Sequence, residues 1–183
     1  TTALSAFFFK NAGLVSFYGP MVAVEFYKGA TPYILDSFMR AMTTDKPYGP
    51  LGKPAGWTLT ETLVGGKVRG RLIGGCLTLF ECLLGTPNQV SFRDSIFYLE
   101  DIGGEPYQTD RTLTHLLAAG VLEGVRGIVV GECVDCEHVT GRSGYENCQD
   151  LRTVIRERLS PLGVPILFGA PFGHGDEKAT LPY

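Results

Sequence analysis

Residues 165–183, PILFGAPFGHGDEKATLPY, are the segment from which we interpret the chain. The apolar residues 166–168 predict a short buried strand, and the glycines and prolines after them predict a loop. His174 lies between Gly173 and Gly175, where the backbone can approach another group closely. Because histidine titrates near neutral pH, His174 is a candidate for proton transfer. The alternative is a loop histidine with no chemical role.

Strand-like and helix-like patterns alternate upstream of this segment. Apolar or alternating runs predict strands over 14–18, 57–63, 68–73, 95–99, 125–130 and 164–168. Apolar periodicity with capping residues predicts helices over 2–12, 33–42, 77–84, 110–119 and 150–159, with Thr109 as the cap of the fourth. Such alternation is typical of α/β proteins with a parallel sheet. Gly65 and Gly66, between the second and third strands, predict a β-hairpin.

The first 44 residues contain one helix, one strand and a second helix. One strand cannot form a parallel layer by itself, so we interpret residues 1–44 as the tail of an N-terminal parallel α/β domain. Residues 45–55 are rich in proline and glycine and are the predicted linker. Residues 56–183 are the predicted C-terminal α/β domain with its own sheet.

Composition excludes several classes of protein. Hydrophobic residues make up 44% and charged residues 19%, which is typical of a globular chain rather than a disordered one. The net charge of −3 and the lack of a basic stripe argue against a nucleic-acid partner. No apolar run reaches the roughly 18 residues of a membrane span. Five cysteines, an odd number, favour a reducing compartment, and we predict a cytoplasmic location.

Glu100 follows the apolar run 96–99 and precedes Asp101 and two glycines. A carboxylate at the mouth of a strand can orient a histidine and stabilise its imidazolium form. An ordinary acidic side chain that faces solvent is the alternative.

The cysteines suggest one further site. Cys133, Cys136 and His138, with Cys148 downstream, lie in a polar segment over 132–148 and are residue types that bind zinc. The segment contains only one Cys-x-x-Cys pair, so we interpret the cysteines as free thiols. No metal or other cofactor is predicted.

Five ordered motifs resemble the LD-carboxypeptidases, the serine peptidase family that includes the microcin C self-immunity peptidases. The motifs are residues 70–77 (GRLIGGCL), 97–101 (FYLED), 106–113 (PYQTDRTL), 127–132 (GIVVGE) and 163–183 (GVPILFGAPFGHGDEKATLPY). Their order and separations extend the resemblance over essentially the whole chain.

The resemblance implies a Ser–His–Glu triad, with His174 as the histidine and Glu100 as the glutamate. In the family the serine lies in a Gly-x-Ser-Asp turn just before a helix that begins like residues 1–4 here. This implies that the nucleophilic serine belongs to a segment preceding Thr1, and that the present chain alone is inactive. Ser5 and Ser16 fall inside predicted elements and are not replacements.

The resemblance also implies a small peptide substrate, a murein tetrapeptide cut before its terminal D-alanine. Arg71, with Arg69, is a candidate ligand for a substrate carboxylate. Cys76 stands where the family usually has asparagine near the active site, so a substrate contact is expected there too. A homodimer is a further expectation. Two alternatives stay open: an amide hydrolase acting on a microcin-like peptide, and an inactive fragment or scaffold that retains the fold.

Overall fold

The computed structural model describes residues 2–138 and 148–183. The helices are α1 (Thr2–Ala12), α2 (Pro32–Thr43), α3 (Leu77–Leu83), α4 (Pro106–Ala118) and α5 (Leu151–Leu159), with a π-helical turn over Val22–Phe26 and a 3-10 turn over Ser160–Leu162. The strands are β1 (Phe17–Tyr18), β2 (Glu61–Val64), β3 (Arg71–Cys76), β4 (Ser95–Glu100), β5 (Gly127–Val130), β6 (Ile166–Phe168) and β7 (Leu181–Pro182).

Five strands form one sheet in the order β2-β6-β5-β4-β3. The pairs β3–β4, β4–β5 and β5–β6 are parallel, and β2 is an antiparallel edge strand. A helix follows each of β3, β4 and β5, and α4 packs against both α3 and α5. The predicted α/β class is therefore confirmed. Successive parallel strands bring their carboxyl ends to one edge of the sheet, which is where ligands bind in open α/β sheets.

The central strands are apolar because both faces of the sheet are covered. Phe97, Tyr98 and Leu99 on β4 are all buried, so side chains on both faces of this strand are covered, and Ile128 and Val130 on β5 are buried as well. Such strands appear in a sequence as continuous apolar runs, which is why the pattern alone located them.

Helix α4 begins four residues before its predicted start. Pro106 occupies the first turn, where its missing N–H does no harm, and Glu105 with Gln108 forms a reciprocal capping box. Thr109, the predicted cap, is instead a buried residue inside the helix. The prediction was wrong because threonine is the more usual N-cap, and glutamate is not.

The predicted hairpin is also wrong. Strands β2 and β3 lie at opposite edges of the sheet, and the turn between them crosses the ends of the intervening strands. Gly66 packs against Pro165, Val68 against Gly127, and Gly70 against the backbone at the start of β4. Two alternating runs separated by glycines look like a hairpin locally, but β2 pairs with β6 and β3 pairs with β4 instead.

The N-terminal strand differs from its prediction as well. Only Phe17 and Tyr18 are extended in the strand predicted over 14–18, and they pair antiparallel with β7 rather than with a parallel layer among the described residues. The backbone N–H of Tyr183 donates to the carbonyl of Ser16 at 2.8 Å, which continues this pairing. The N-terminal elements therefore pack on the segment that carries His174. The division into domains at residues 44 and 56 stays a prediction.

In the part of the chain that the structure describes, none of the helices has both the length and the apolar character needed to cross a bilayer.

Candidate active site

The candidate site lies at the carboxyl ends of the parallel strands. Cys76 ends β3 and Glu100 ends β4, and the two residues are paired in register. His174 lies in the loop after β6. After β5, Glu132 forms a parallel bridge with Gly173, next to the histidine. Residues from four consecutive strand ends thus meet in one place.

Glu100 and His174, the two predicted catalytic residues, are in direct contact. Nδ1 of His174 lies 2.5 Å from Oε2 of Glu100. The glutamate side chain is fully buried, whereas 32% of the histidine side chain is exposed. An ionised carboxylate only accepts hydrogen bonds, so Nδ1 carries the proton and donates it. This tautomer leaves Nε2 of His174 with a lone pair that can accept a proton.

Tyr18 contacts the other oxygen of the same carboxylate. Its hydroxyl donates to Oε1 of Glu100 at 2.6 Å. Burial, followed by the negative charge of Glu100 and the hydrogen bond to it, raises the pKa of Tyr18 far above its usual value. The phenol is therefore a neutral donor throughout the working pH range. Each oxygen of Glu100 has one donor, which offsets the cost of burying the charge.

Close backbone contacts hold the loop of His174. Gly173 has a φ of +123°, and a Cβ there would lie 2.6 Å from the carbonyl oxygen of Glu132. A Cβ on Gly131 would lie 2.5 Å from the carbonyl oxygen of Phe172. Glycine is thus required at both positions, because only its bare backbone allows the loop to approach the end of β5. The glycines noted in the sequence therefore place the histidine beside the glutamate.

A cavity of about 500 Å³ opens beside the pair. Its lining includes Thr2, Tyr18, Glu25, Cys76, His174 and Lys178. This volume falls in the range typical of small-molecule sites.

Cys76 contributes a protonated thiol to this cavity. Its Sγ donates to Oδ1 of Asp101 at 3.4 Å, and its backbone N–H donates to Oγ1 of Thr2 at 3.0 Å. Burial, followed by nearby carboxylates, raises the pKa of Cys76 to about 12. A thiol that stays protonated is a poor nucleophile, so Cys76 is suited to contact and hydrogen bonding rather than to attack.

A buried ion pair forms another part of the wall. Nζ of Lys178 lies 2.6 Å from Oε1 of Glu25, and their side chains are 8% and 9% exposed. The backbone N–H of Met21 donates to the other oxygen of Glu25. Burial alone would raise the pKa of Glu25, but these hydrogen bonds and the charge of Lys178 lower it overall. The pair ties the π-helical turn to the loop of His174.

Arg71 is not brought to this cavity. It begins β3, whereas Cys76 ends it, and the strand separates the two by roughly 16 Å. The Arg71 guanidinium lies 5.3 Å from the centre of the Phe9 ring, beside a different cavity that Tyr183 also lines. The structure thus separates Arg71 from His174. The prediction for Arg71 did not take into account that the amino end of a strand lies about a strand length away from its carboxyl end, where the site is.

The cysteine segment shows no metal site among the residues described. No three His, Cys, Asp or Glu side chains in residues 2–138 and 148–183 are grouped so as to hold a metal ion. Cys133 and Cys136 interact with each other, which raises the pKa of Cys133 and lowers that of Cys136. Nε2 of His138 contacts the carbonyl of Gln149 at 2.8 Å. Thr1 and residues 139–147 of the predicted loop lie outside the described residues.

Three polar residues of the site were missed by the sequence interpretation: Tyr18, Glu25 and Lys178. Tyr18 lies in an apolar run, and Glu25 precedes no recognisable motif. Lys178 lies in the same segment as His174, and what distinguishes it from an ordinary surface lysine is its burial. Burial of a lysine is a tertiary property that local sequence does not carry.

Comparison with known proteins identifies the family of the chain. Residues 69–183 match the model of the LD-carboxypeptidase C-terminal domain. The chain therefore belongs to the LD-carboxypeptidase family.

Individual relatives are similar along most of the chain. A putative carboxypeptidase of Streptomyces coelicolor is 37% identical over 100% of this chain and 54% of its own length. A probable murein peptide carboxypeptidase of Bacillus subtilis is 33% identical over 94% of this chain and 52% of its own length. The microcin C7 self-immunity protein of Escherichia coli is 27% identical over 100% of this chain and 58% of its own length.

Among solved structures, the muramoyltetrapeptide carboxypeptidase of Oxalobacter formigenes superposes with a TM-score of 0.81 at 30% identity, covering 99% of this chain and 59% of that one. The chain thus spans little more than half the length of the relatives and of this structure.

Proposed function

We propose that this chain supplies the histidine and glutamate of a serine-type LD-carboxypeptidase, which hydrolyses the amide bond before a C-terminal D-amino acid in murein peptides. The contact between His174 and Glu100 beside an open cavity carries the proposal. A histidine whose Nδ1 is held by a buried carboxylate is the arrangement that activates a hydroxyl nucleophile.

Each residue has a defined role in this proposal. Nε2 of His174 accepts the proton of the serine hydroxyl as its oxygen attacks the substrate carbonyl. His174 then gives that proton to the departing amine of the D-amino acid, and the acyl group stays on the serine. Water then attacks the acyl carbon while Nε2 of His174 accepts one of its protons, and His174 returns that proton to the serine oxygen as the acyl–serine bond breaks and the shortened peptide leaves. Glu100 stays ionised, holds the tautomer and stabilises the imidazolium.

We infer that the serine, and backbone N–H groups for the oxyanion, come from outside these residues. Thr2 and Cys76 line the cavity, but the threonine hydroxyl accepts from the cysteine backbone and the thiol is held protonated. Ser5 and Ser16 do not line it. By themselves the 183 residues are expected to be inactive.

Exposed apolar surface supports the same inference. Of the sixteen large apolar side chains that are exposed among the described residues, twelve lie between residues 2 and 44. They include Leu4, Phe7, Leu14, Val22, Leu35 and Met39. Exposed apolar surface of this kind is typical of a face that packs against further protein. A covering segment that also carries the serine would complete both the core and the site.

The murein substrate is supported by the names of the relatives from Bacillus subtilis and Oxalobacter formigenes. A microcin-like peptide amide is the second candidate, because the Escherichia coli immunity protein is similar over the whole chain. The cytoplasmic location and the homodimer stay predictions.

The test is release of D-alanine from a murein tetrapeptide by the natural full-length polypeptide. We expect His174→Ala to lower kcat by roughly 10³-fold or more, and Glu100→Gln to lower it by roughly 10²-fold or more. Asp176→Asn is the matched control, since this exposed carboxylate lies in the same loop and should leave kcat near the wild-type value. Wild-type rates in both dyad variants would refute the proposal. Cleavage of a microcin-type amide but not of the tetrapeptide would favour the second candidate, and cleavage of neither would favour a scaffold.

A further inference from the structure

The N-terminal segment contributes a side chain to the catalytic pair itself. We propose that Tyr18 is a positioning residue that fixes the carboxylate of Glu100, and through it the orientation and tautomer of His174. The inference rests on the proposed function because it assigns a role within the same pair, but its geometry is separate. Tyr18 binds Oε1 of Glu100, whereas His174 binds Oε2.

Two donors, one on each oxygen of Glu100, restrict rotation of the carboxylate more than a single donor does. The terminal torsion of a glutamate side chain is broad, so a carboxylate held at one oxygen can rotate. Glu100 is fully buried, and water cannot replace a missing donor there. With Tyr18 in place, the plane of the carboxylate is set before substrate binds. Pre-setting the carboxylate keeps the proton of His174 on Nδ1, which leaves Nε2 ready to act.

The fold holds Tyr18 independently of this hydrogen bond. Tyr18 pairs with Leu181 in the β1–β7 sheet, and Gly19 packs directly against Thr180. The Tyr18 ring also lies 6.0 Å from the ring of Tyr98, centre to centre. Strand β7 follows the loop of His174 in the chain, so the strand that anchors the tyrosine also ends the loop that presents the histidine.

This arrangement gives residues 17–18 a role beyond packing. Glu100 and His174 both belong to the matched family domain, residues 69–183, whereas Tyr18 lies outside it. Among the residues described, the second donor to the Glu100 carboxylate therefore comes from outside the domain. The N-terminal strand completes the pair.

The test is NMR of the natural full-length polypeptide labelled with ¹⁵N-histidine, in which the His174 signals are assigned by their loss in His174→Gln. In the wild type we expect the Nδ1–H tautomer of His174 and a slowly exchanging, low-field Nδ1 proton. Tyr18→Phe keeps the ring but removes the hydroxyl. We expect exchange of that proton to become about tenfold faster, the size of effect that one hydrogen bond to a charged group produces, and the other tautomer to appear.

Tyr98→Phe is the matched control. Tyr98 is buried near the same carboxylate, but among the described residues its hydroxyl has no hydrogen-bond partner. Its removal should therefore leave both His174 signals unchanged. An effect of equal size in Tyr98→Phe would show that any nearby loss of a hydroxyl suffices, and would overturn the inference. Unchanged His174 signals in Tyr18→Phe would overturn it as well.

Glu100→Gln separates this inference from the proposed function. If Glu100→Gln leaves the tautomer and exchange of His174 unchanged, the pair itself is refuted, and the role of Tyr18 falls with it. If Glu100→Gln changes them and Tyr18→Phe does not, only the role of Tyr18 is overturned.

Should Tyr18→Phe fail to fold, the reciprocal measurement applies. The ¹³Cζ signal of Tyr18, in chain labelled with ¹³C-tyrosine, should move when Glu100→Gln removes the charged acceptor. A Tyr18 signal that is the same with and without the charge would refute the hydrogen bond.

Discussion

Lys178→Met is expected to destabilise the chain strongly, because it leaves Glu25 buried without its cation. Nζ of Lys178 and Oε1 of Glu25 are 2.6 Å apart, and over nine-tenths of each side chain is buried. Methionine preserves most of the length and the apolar stem of lysine, so packing changes little. The loss therefore measures mainly the uncompensated charge.

The magnitude follows from this burial. Removing one partner of a buried ion pair costs about 3–5 kcal/mol, because the remaining charge stays desolvated. Glu25 keeps the hydrogen bond from the backbone of Met21, which satisfies one of its oxygens. We therefore expect a loss near the lower limit, about 3 kcal/mol of the free energy of unfolding.

The effect should depend on pH in a defined direction. The pKa of Glu25 is lowered in the folded chain relative to its ordinary value of 4.5. A carboxylate with a lowered folded pKa contributes stability above its unfolded pKa, and that stability is lost as the pH falls through the folded pKa. The difference between wild type and Lys178→Met should therefore be larger at pH 7 than at pH 4, because the unpaired Glu25 of the variant takes up a proton as the pH falls.

Urea denaturation followed by circular dichroism at pH 7 and at pH 4 measures both quantities. The double variant Glu25→Gln/Lys178→Met removes both charges and should lose less stability than Lys178→Met alone. A loss below about 1 kcal/mol at pH 7, the range of an exposed ion pair, would refute the reasoning. So would a double variant that is less stable than Lys178→Met.

Two further predictions concern the thiols and one helix cap. At pH 8 a disulfide reagent should modify the exposed Cys82 and Cys148 rapidly, and Cys76 at least about tenfold more slowly. The reason is that only the thiolate reacts, and the pKa of Cys76 is raised to about 12. Peptide mass mapping over time measures the three rates, and equal rates would contradict the prediction. Asp150→Ala should cost about 1 kcal/mol of the free energy of unfolding at pH 7, since Oδ1 of Asp150 caps α5 by accepting from the N–H of Thr153. The pKa of Asp150 is lowered by hydrogen bonds from the side chain and then the backbone N–H of Thr153. Urea denaturation should therefore show the cost fading as the pH falls below the ordinary pKa of 3.8, whereas a cost that is constant with pH would contradict the cap.

The local pattern of apolar, glycine and proline residues in the sequence predicted most helices and strands of the fold. Helix α2 and helix α5 were predicted within a residue because Pro32 is suited to the first turn of α2 and because α5 is strongly amphipathic. Asp150, predicted as the first residue of α5, is its N-cap. The start of α4 was wrong because its cap is a glutamate. The hairpin was wrong because strand order is decided by long-range pairing, and two glycines between alternating runs give no information about distant partners.

The residues of the candidate site also divide into those that local sequence predicted correctly and those that it did not. Local features, glycines around one residue and a strand end at the other, made His174 and Glu100 candidates, and the resemblance to the LD-carboxypeptidases joined them as a pair. Arg71 was also selected locally, yet it lies at the opposite end of its strand from Cys76. Direction along a parallel strand decides which residues reach the site, and a list of charged residues near a motif ignores that direction.

By itself, the sequence determined the α/β class and the positions of the main strands, because hydrophobic periodicity, caps and glycine loops act between near neighbours. It also made His174 and Glu100 candidates, which the family resemblance then paired. Only the tertiary structure decided that β2 and β3 lie at opposite edges, that Lys178 is buried against Glu25, and that Tyr18 binds the carboxylate of the pair. Those contacts join residues far apart in the chain. They form because a buried charge must find donors wherever the fold brings them, and the fold brings the Tyr18 hydroxyl to Glu100.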